Sequence, residues 1–378
     1  MLRRRHVQWR RFSRLLAVVW SRIGRREEVF PMATFVVEVL PLRDVEPHPN
    51  ADRLDLAVVG NYRIIIPKDR YHAGDLVAYI PEAALLPDWL IDELGVRGYL
   101  AGQQKNRVKA TKLRGVLSQG LVYPARPEWQ AGQDVTAELA ITKWEPEVPL
   151  GMAGNPKPGP VWWHGYDVEA YNRYPDLLID GEPVYVTEKI HGTCGVFGAG
   201  EGEHYASSKG FSDRHLVLER DETNLYWKAA LAYNVHTAIE AEYGTARPVQ
   251  VFAEVYGAQT PNGKRVQDLA YNPALGLRIA VFDIMVDREF LPYAEAMAAA
   301  QRMGLPFVPL LYHGPFERAQ VLALAEGVEA VSGTAANIRE GVVIRPEAPR
   351  DDPDIGRVVL KYVSGAYLTR KGDVTEYN

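Results

Sequence analysis

A run of prolines and glycines near the middle of the chain limits its fold more than any other feature. Pro146, Pro149, Gly151, Gly154, Pro156, Pro158, Gly159 and Pro160 follow one another closely. Proline lacks an amide donor and glycine loses the most backbone freedom on ordering, so such a stretch leaves no room for a regular element. The expectation is a stiff linker over 143–163 with a separate unit on each side. At 378 residues both units have room for a core of their own.

Before the linker the pattern is all-β. Short apolar runs at 35–40, 54–59, 63–66, 76–80 and 121–123 are separated by turn residues such as Pro47, Pro49, Asn50, Gly60, Asn61 and Gly74. Five strands at this spacing predict a small OB-type barrel over 32–142. Residues 1–31 differ: nine arginines face only Glu27 and Glu28, so this segment carries +7 of a chain whose net charge is −5. It reads as a disordered extension, with Met32 as a natural beginning; a nucleic-acid-binding arm and an organelle presequence are the alternatives. Its apolar stretch at 15–20 is too short for a membrane span or a signal-peptide core. The single cysteine, Cys194, excludes a disulfide framework and a cysteine zinc site, and fits a reducing, cytoplasmic compartment. It reads as a small buried residue.

The net charge alone does not suggest a nucleic-acid binder. One local cluster does: Lys105, Arg107, Lys109, Lys112 and Arg114 occur with no acid between them. They read as phosphate-backbone contacts, with Lys105, Arg107 and Lys109 sharing one strand face at period 2. The plainer reading is a barrel edge protected by charge.

After the linker, residues 164–378 mix strands and helices. Leu225, Ala229, Ala232, Val235 and Ile239 recur at helical spacing, with Gly244 placed to end the helix. Two more helices are expected near 292–303 and 315–325, and the whole reads as a two-sheet α+β domain.

Chemistry concentrates at Glu188-Lys189-Ile190-His191-Gly192-Thr193. Val184, Val186 and Ile190 alternate with Tyr185, Thr187 and Lys189, which sets the lysine at a strand end before a glycine turn. Free lysine, with a pKa of about 10.4, is inert at neutral pH. Desolvation or nearby cations can free its lone pair for attack. The plainer reading is a surface lysine on an edge strand.

Five further segments follow in order: SSKGF at 207–211, VFAEVYG at 251–257, AVFDIMV at 280–286, EGVVIR at 340–345 and VLKYVS at 359–364. With the lysine segment, they resemble the motif series of the covalent nucleotidyltransferases, which comprise polynucleotide ligases and RNA capping enzymes. His191 stands where DNA ligases and capping enzymes usually have aspartate, as in the RNA-ligase form. The resemblance implies that Lys189 is the nucleophile and forms lysyl-AMP with ATP. It implies that Glu340 meets Mg²⁺ or Mn²⁺, that Glu254 binds a ribose hydroxyl and that Phe282 stacks on adenine. Lys361 would grip the α-phosphate. Glu188, Ser208, Lys209 and Arg345 complete the nucleotide contacts it implies. Asp283 either orients the lysine or is structural. Without the resemblance, Phe282 would read as core and Glu340 as a salt-bridged strand end.

One departure stands out. The last family motif usually has two lysines one residue apart, but here Lys361 is flanked at that spacing by Val359 and Val363. Arg357 or Arg370 is the expected substitute. The barrel is expected before the catalytic segments, and with the sequence ending at Asn378 no barrel is expected after them. That order resembles the RNA ligases with an N-terminal OB domain. It implies an ATP-dependent ligase joining 3′-OH to 5′-phosphate ends, at nicks in duplex RNA or RNA–DNA hybrid, with no membrane and no obligate protein partner. The rivals are a DNA-joining or capping-type enzyme and an inactive RNA-binding relic. Adenylylation is expected to need only the second unit.

Overall fold

A computed structural model describes residues 35–145, 150–269 and 271–370. The basic extension expected over 1–31, and Pro146 and Pro149 of the linker, lie outside them. The first unit contains β1 (Glu38–Pro41), β2 (Asp44–Pro47), β3 (Leu54–Val59), β4 (Tyr62–Pro67), β5 (Leu76–Ile80) and β6 (Leu121–Pro124). They form two antiparallel sheets, β1-β5-β6 and β2-β3-β4. Val39, Ala78 and Ile80 pack on one side, against a short helix α1 (Asp88–Leu94); Ala57, Ile64 and Val77 fill a second cluster. A Cβ on Gly120 would come within 2.6 Å of the Ile80 carbonyl oxygen, so only glycine lets the chain cross into β6 there.

The five expected strands are present. Sequence reading missed β2 and the hairpin Thr111–Leu113/Val116–Ser118, because these short segments show no apolar alternation. It also erred at the basic cluster. Residues 105–109 form no strand: Lys105 has φ +53°, and Ala101 and Arg107 exchange both backbone hydrogen bonds at 2.8 and 3.0 Å. Arg107 is buried, its guanidinium 3.9 Å from the Trp144 ring centre. Stacking and backbone pairing fold this arginine inward, so the proposed common face does not exist. Lys105, Lys109, Lys112 and Arg114 remain exposed.

The second unit is built on two five-stranded sheets. The first runs Glu169–Ala170, β14 (Leu360–Val363), β13 (Gly341–Pro346), β7 (Pro183–Lys189) and β12 (Leu310–Pro315). The second runs β9 (Glu203–Ser208), β8 (Thr193–Gly200), β10 (Val249–Gly257), β11 (Leu277–Val286) and Glu289–Phe290. Helices α2 (Leu225–Ala232), α3 (Val235–Tyr243) and α4 (Tyr293–Arg302) share a core with one face of the second sheet: Leu225, Ile239 and Ala296 join Phe197, Val251 and Val281. The single helix expected over 225–239 is two, because Asn234 takes a left-handed conformation at φ 49° between them. The third expected helix is shorter, Arg318–Ala323.

The expected linker is also partly ordered into this unit. Leu150–Ala153 is a helical turn and Pro156–Pro158 pairs with Leu216–Leu218. Trp162 and Trp163 are buried, with Gly198 leaving room for the Trp163 ring. The two units touch directly. Arg173 pairs with Glu38 at 3.1 Å, and the Asn61 amide donates to the Asn172 carbonyl at 2.8 Å. Ala110 and Leu117 of the barrel pack on Val363, Tyr367 and Leu368. Among the described residues, no helix is long and apolar enough to cross a membrane.

Candidate active site

Strand alternation decides which way the lysine points. Val184 and Val186 of β7 enter the core they share with Val342 and Ile344, whereas Lys189 belongs to the opposite face. Gly341 lies beside it in register, and a Cβ there would come 2.2 Å from the Tyr362 carbonyl oxygen. The Lys189 Nζ sits 2.8 Å from Glu340 Oε1, with only 14% of the lysine side chain and 1% of the glutamate exposed. The other Glu340 oxygen lies 3.2 Å from His191 Nδ1, and Tyr367 Oη lies 2.9 Å from the same nitrogen. His191 Nε2 bonds to Asp268, which pairs with Arg370 at 3.1 Å. The His191 amide donates to Tyr271 Oη at 2.6 Å.

These contacts fix the electrostatics. Burial opposes a charge on His191, but Asp268 and Glu340 outweigh it and raise the imidazole above its ordinary pKa. Burial likewise opposes ionisation of Asp268, yet His191 and Arg370 hold it at about 2. The result is a line of alternating charge, Lys189–Glu340–His191–Asp268–Arg370. It explains how histidine can occupy this position of the lysine segment: carboxylates from two other segments already flank it.

The opposite wall comes from the second sheet. Glu254 pairs in register with Cys194, and its carboxylate lies over Gly192. A Cβ on Gly192 would meet Glu254 Oε1 at 2.9 Å and the Val255 carbonyl oxygen at 2.4 Å. Phe282 owes its position to a β-bulge: Phe252 faces Asp283 and Ala253 faces Val281, leaving Phe282 as the extra residue. It packs beside Ile190, Tyr256 and Tyr271, with its ring centre 4.9 Å from that of Tyr166.

Asp283 is fully buried and accepts from Tyr166 Oη at 3.0 Å, Arg357 Nη2 at 2.6 Å and Arg345 Nη1 at 3.4 Å. Arg345 also donates to the Phe282 carbonyl at 3.3 Å. This network ties the two sheets together across the bulge. Arg357 and Arg370, the expected substitutes for the second family lysine, are thus bound to Asp283 and Asp268. Val363 itself packs in the contact with the barrel.

The remaining residues divide between the cleft and other places. Lys361 pairs with Val343, which pairs with Thr187, so it shares the face of Lys189. Lys209 pairs with Asp167 and Asp213, each at 3.3 Å; burial opposes its charge and the two acids more than restore it, raising its pKa. Ser208 caps the following turn, accepting from the Phe211 amide at 3.3 Å. Glu188 turns away from Lys189: it accepts from the Ala330 amide at 2.8 Å and lies 3.6 Å from Arg339. Burial lifts its pKa to about 7 despite those partners. The exposed cations of the barrel are not part of the cleft, although the Thr111–Leu113 hairpin follows Ala110 at the domain contact.

Asp268, Tyr271 and Tyr367 were not anticipated, since they lie outside the strand motifs and only folding brings them to His191. Among the described residues, no group of three His, Cys, Asp or Glu side chains could hold a metal ion. One buried carboxylate, Glu340, beside a lysine suits a hard ion whose other ligands are water and substrate phosphates.

Comparison with known proteins agrees with this layout. Residues 182–363 match the RNA ligase family model, and residues 36–125 match an OB-fold domain model. No curated protein matches the chain at a significant level. Among solved structures, a mutant of the Naegleria gruberi RNA ligase with AMP and Mn aligns at 20% identity and TM-score 0.75, covering 89% of this chain and 98% of that one. The same ligase with PPi aligns at 22% identity and TM-score 0.73, with the same coverage of both chains. A further mutant of it, with ATP and Mn, aligns at 21% and 0.72, covering 88% of this chain and 97% of that one. At such identities the likeness is one of fold: an N-terminal OB domain followed by an α+β ligase domain. Residues 182–363 thus carry a domain similar to the RNA ligase family, behind an OB-fold domain.

Proposed function

We propose that this protein is an ATP-dependent RNA ligase that joins 3′-OH to 5′-phosphate ends through a lysyl-AMP intermediate, at nicks in RNA-containing duplexes. The observation that carries the reading is Lys189 in a sheltered cleft, 2.8 Å from the Glu340 carboxylate. A lysine there is oriented by the Glu340 carboxylate and sheltered from bulk water, and it must give up a proton before its amine can attack. Attack on the α-phosphorus of ATP forms the N–P bond and expels pyrophosphate, with the amine proton released to solvent. Transfer of AMP to the 5′-phosphate regenerates the lysine. Attack by the 3′-OH then forms the phosphodiester and releases AMP.

Other residues share the work. Lys361 and Lys209 supply cations for the phosphates, with Ser208 beside them. Glu254 offers an acceptor to a ribose hydroxyl and Phe282 a face for adenine. Arg345 secures the wall behind Phe282. Glu188 contributes its backbone beside the lysine. Glu340 would hold Mg²⁺ or Mn²⁺, which would neutralise phosphate charge. The solved Naegleria ligase structures with ATP and Mn support ATP as the nucleotide and Mn²⁺ as a metal. The barrel cations Lys105, Lys109, Lys112 and Arg114, which are exposed, would meet RNA phosphates.

The test is incubation with α-labelled ATP and either metal, followed by denaturing electrophoresis and a sealing assay on nicked RNA duplex. The wild type is expected to carry label and to seal. No label on the protein would refute the mechanism. Label with sealing of all-DNA nicks only would refute the RNA substrate.

A further inference from the structure

Several arginines of the barrel make no ion pair among the described residues, and two of them share a cavity. Arg70 and Arg126 line a cavity of about 430 Å³, with Tyr71, Asp75, Pro124 and Trp129. Each guanidinium lies near an aromatic ring, Arg126 5.0 Å from the centre of Trp129 and Arg70 5.7 Å from that of Tyr71. The rings are themselves fixed. Both are buried, and Trp129 Nε1 donates to Glu138 at 2.8 Å. An arginine resting on a ring is weakly hydrated and partly ordered in advance, so it loses less on meeting a phosphate. The only acid in the lining, Asp75, accepts the His72 amide at 2.7 Å.

In a chain of net charge −5, two unneutralised guanidinium groups around one cavity mark an anion site. The volume suits a nucleotide. Position links it to the rest of the molecule. Strand β6 ends at Pro124, in the cavity wall, and begins just after the hairpin that touches the catalytic domain. We propose that this cavity seats a single-stranded stretch of the RNA, with phosphate on Arg70 and Arg126 and a base against the edges of Tyr71 and Trp129. Arg–aromatic combinations of this kind bind single strands by charge and stacking together. Asp75 offers an acceptor to a 2′-hydroxyl or a base amino group. The inference rests on the RNA-ligase reading above and adds a site separate from the Lys105–Arg114 cluster.

The test uses the full chain: wild type, R70A/R126A and R70K/R126K. Three measurements are compared: adduct yield from labelled ATP, thermal melting, and anisotropy binding of a fluorescent oligoribonucleotide across a salt series. For the alanine pair the adduct yield should stay unchanged. RNA affinity should fall about tenfold, and the slope of log K against log salt should flatten by about 1.4, roughly 0.7 per lost phosphate contact. The lysine pair should keep the wild-type slope. If the double alanine variant melts early, R70A alone, at an exposed residue, should flatten the slope by about 0.7. Wild-type affinity and slope in a well-folded alanine variant would overturn the site. A wild type that forms no adduct or binds no RNA would instead overturn the ligase reading.

Discussion

At the scale of single residues, the proposed chemistry rests on the contact between Lys189 and Glu340. Lys189→Arg keeps the positive charge but is effectively never deprotonated, so it should form no AMP adduct. Detectable label on that variant would show that another group attacks. Glu340→Ala removes both the partner of Lys189 and the partner of His191, and should lower adduct formation by two orders of magnitude or more. Normal turnover at saturating metal would exclude a role in the step.

Glu188 gives a pH prediction. Its folded-state pKa of about 7 lies above the ordinary value of 4.5, so the native state binds more protons than the unfolded chain between those values. Stability should therefore fall as pH rises from about 4.5 to about 7, and Glu188→Gln should reduce that slope. Urea midpoints measured across this window check it. An unchanged slope in the variant would assign the dependence elsewhere.

At the scale of elements, the bulge in β11 is decisive. It turns Phe282 and Asp283, consecutive residues, toward the same cleft, and Asp283 is held by Tyr166, Arg345 and Arg357. Arg357 also lies 3.6 Å from the Phe290 ring centre. Arg357→Ala leaves a buried carboxylate short of one partner and should destabilise the domain by about 3 kcal/mol. The variant should also raise the KM for ATP, because the bulge carries Phe282. Phe282→Ala should raise that KM, by roughly 1–3 kcal/mol of lost stacking, with a smaller stability loss because the ring is only half-buried. Melting temperature and adduct-formation kinetics on the two variants separate the roles. A stable Arg357→Ala protein with unchanged KM would dismiss the network as a support for the bulge.

At the scale of the whole molecule, the domains are coupled more closely than the motif order suggests. Every nucleotide motif lies between Glu188 and Lys361, from which adduct formation is expected to survive loss of the barrel. Yet Tyr367, the hydroxyl partner of His191, belongs to the cluster covered by Ala110 and Leu117. Removal of residues 1–142 should therefore lower adduct yield as well as sealing. Leu117→Asp in the full chain should reproduce the milder part of that loss by inserting a charge into the contact. Parallel adduct and sealing assays on the two proteins are the measurement. Full adduct yield from both would show that His191 keeps its geometry without the barrel.

The local sequence by itself determined the division into a β-rich first unit and an α+β second one, most strands, the position of Lys189 at a strand end, and the order of the motifs. These depend on side-chain period, turn residues and chain order, all of which are local. Tertiary structure decided the rest. The basic cluster was legible as charge, but only the fold sends Arg107 under Trp144 and leaves its neighbours outside. Asn234 breaks a helix that its apolar spacing would continue. Trp162 and Trp163 anchor the end of an apparent linker in the catalytic core. The shell of His191 joins residues from three separate parts of the chain: Asp268 with Tyr271, Glu340, and Tyr367. Buried charges must find partners wherever the fold supplies them, and no local pattern records which partners those will be.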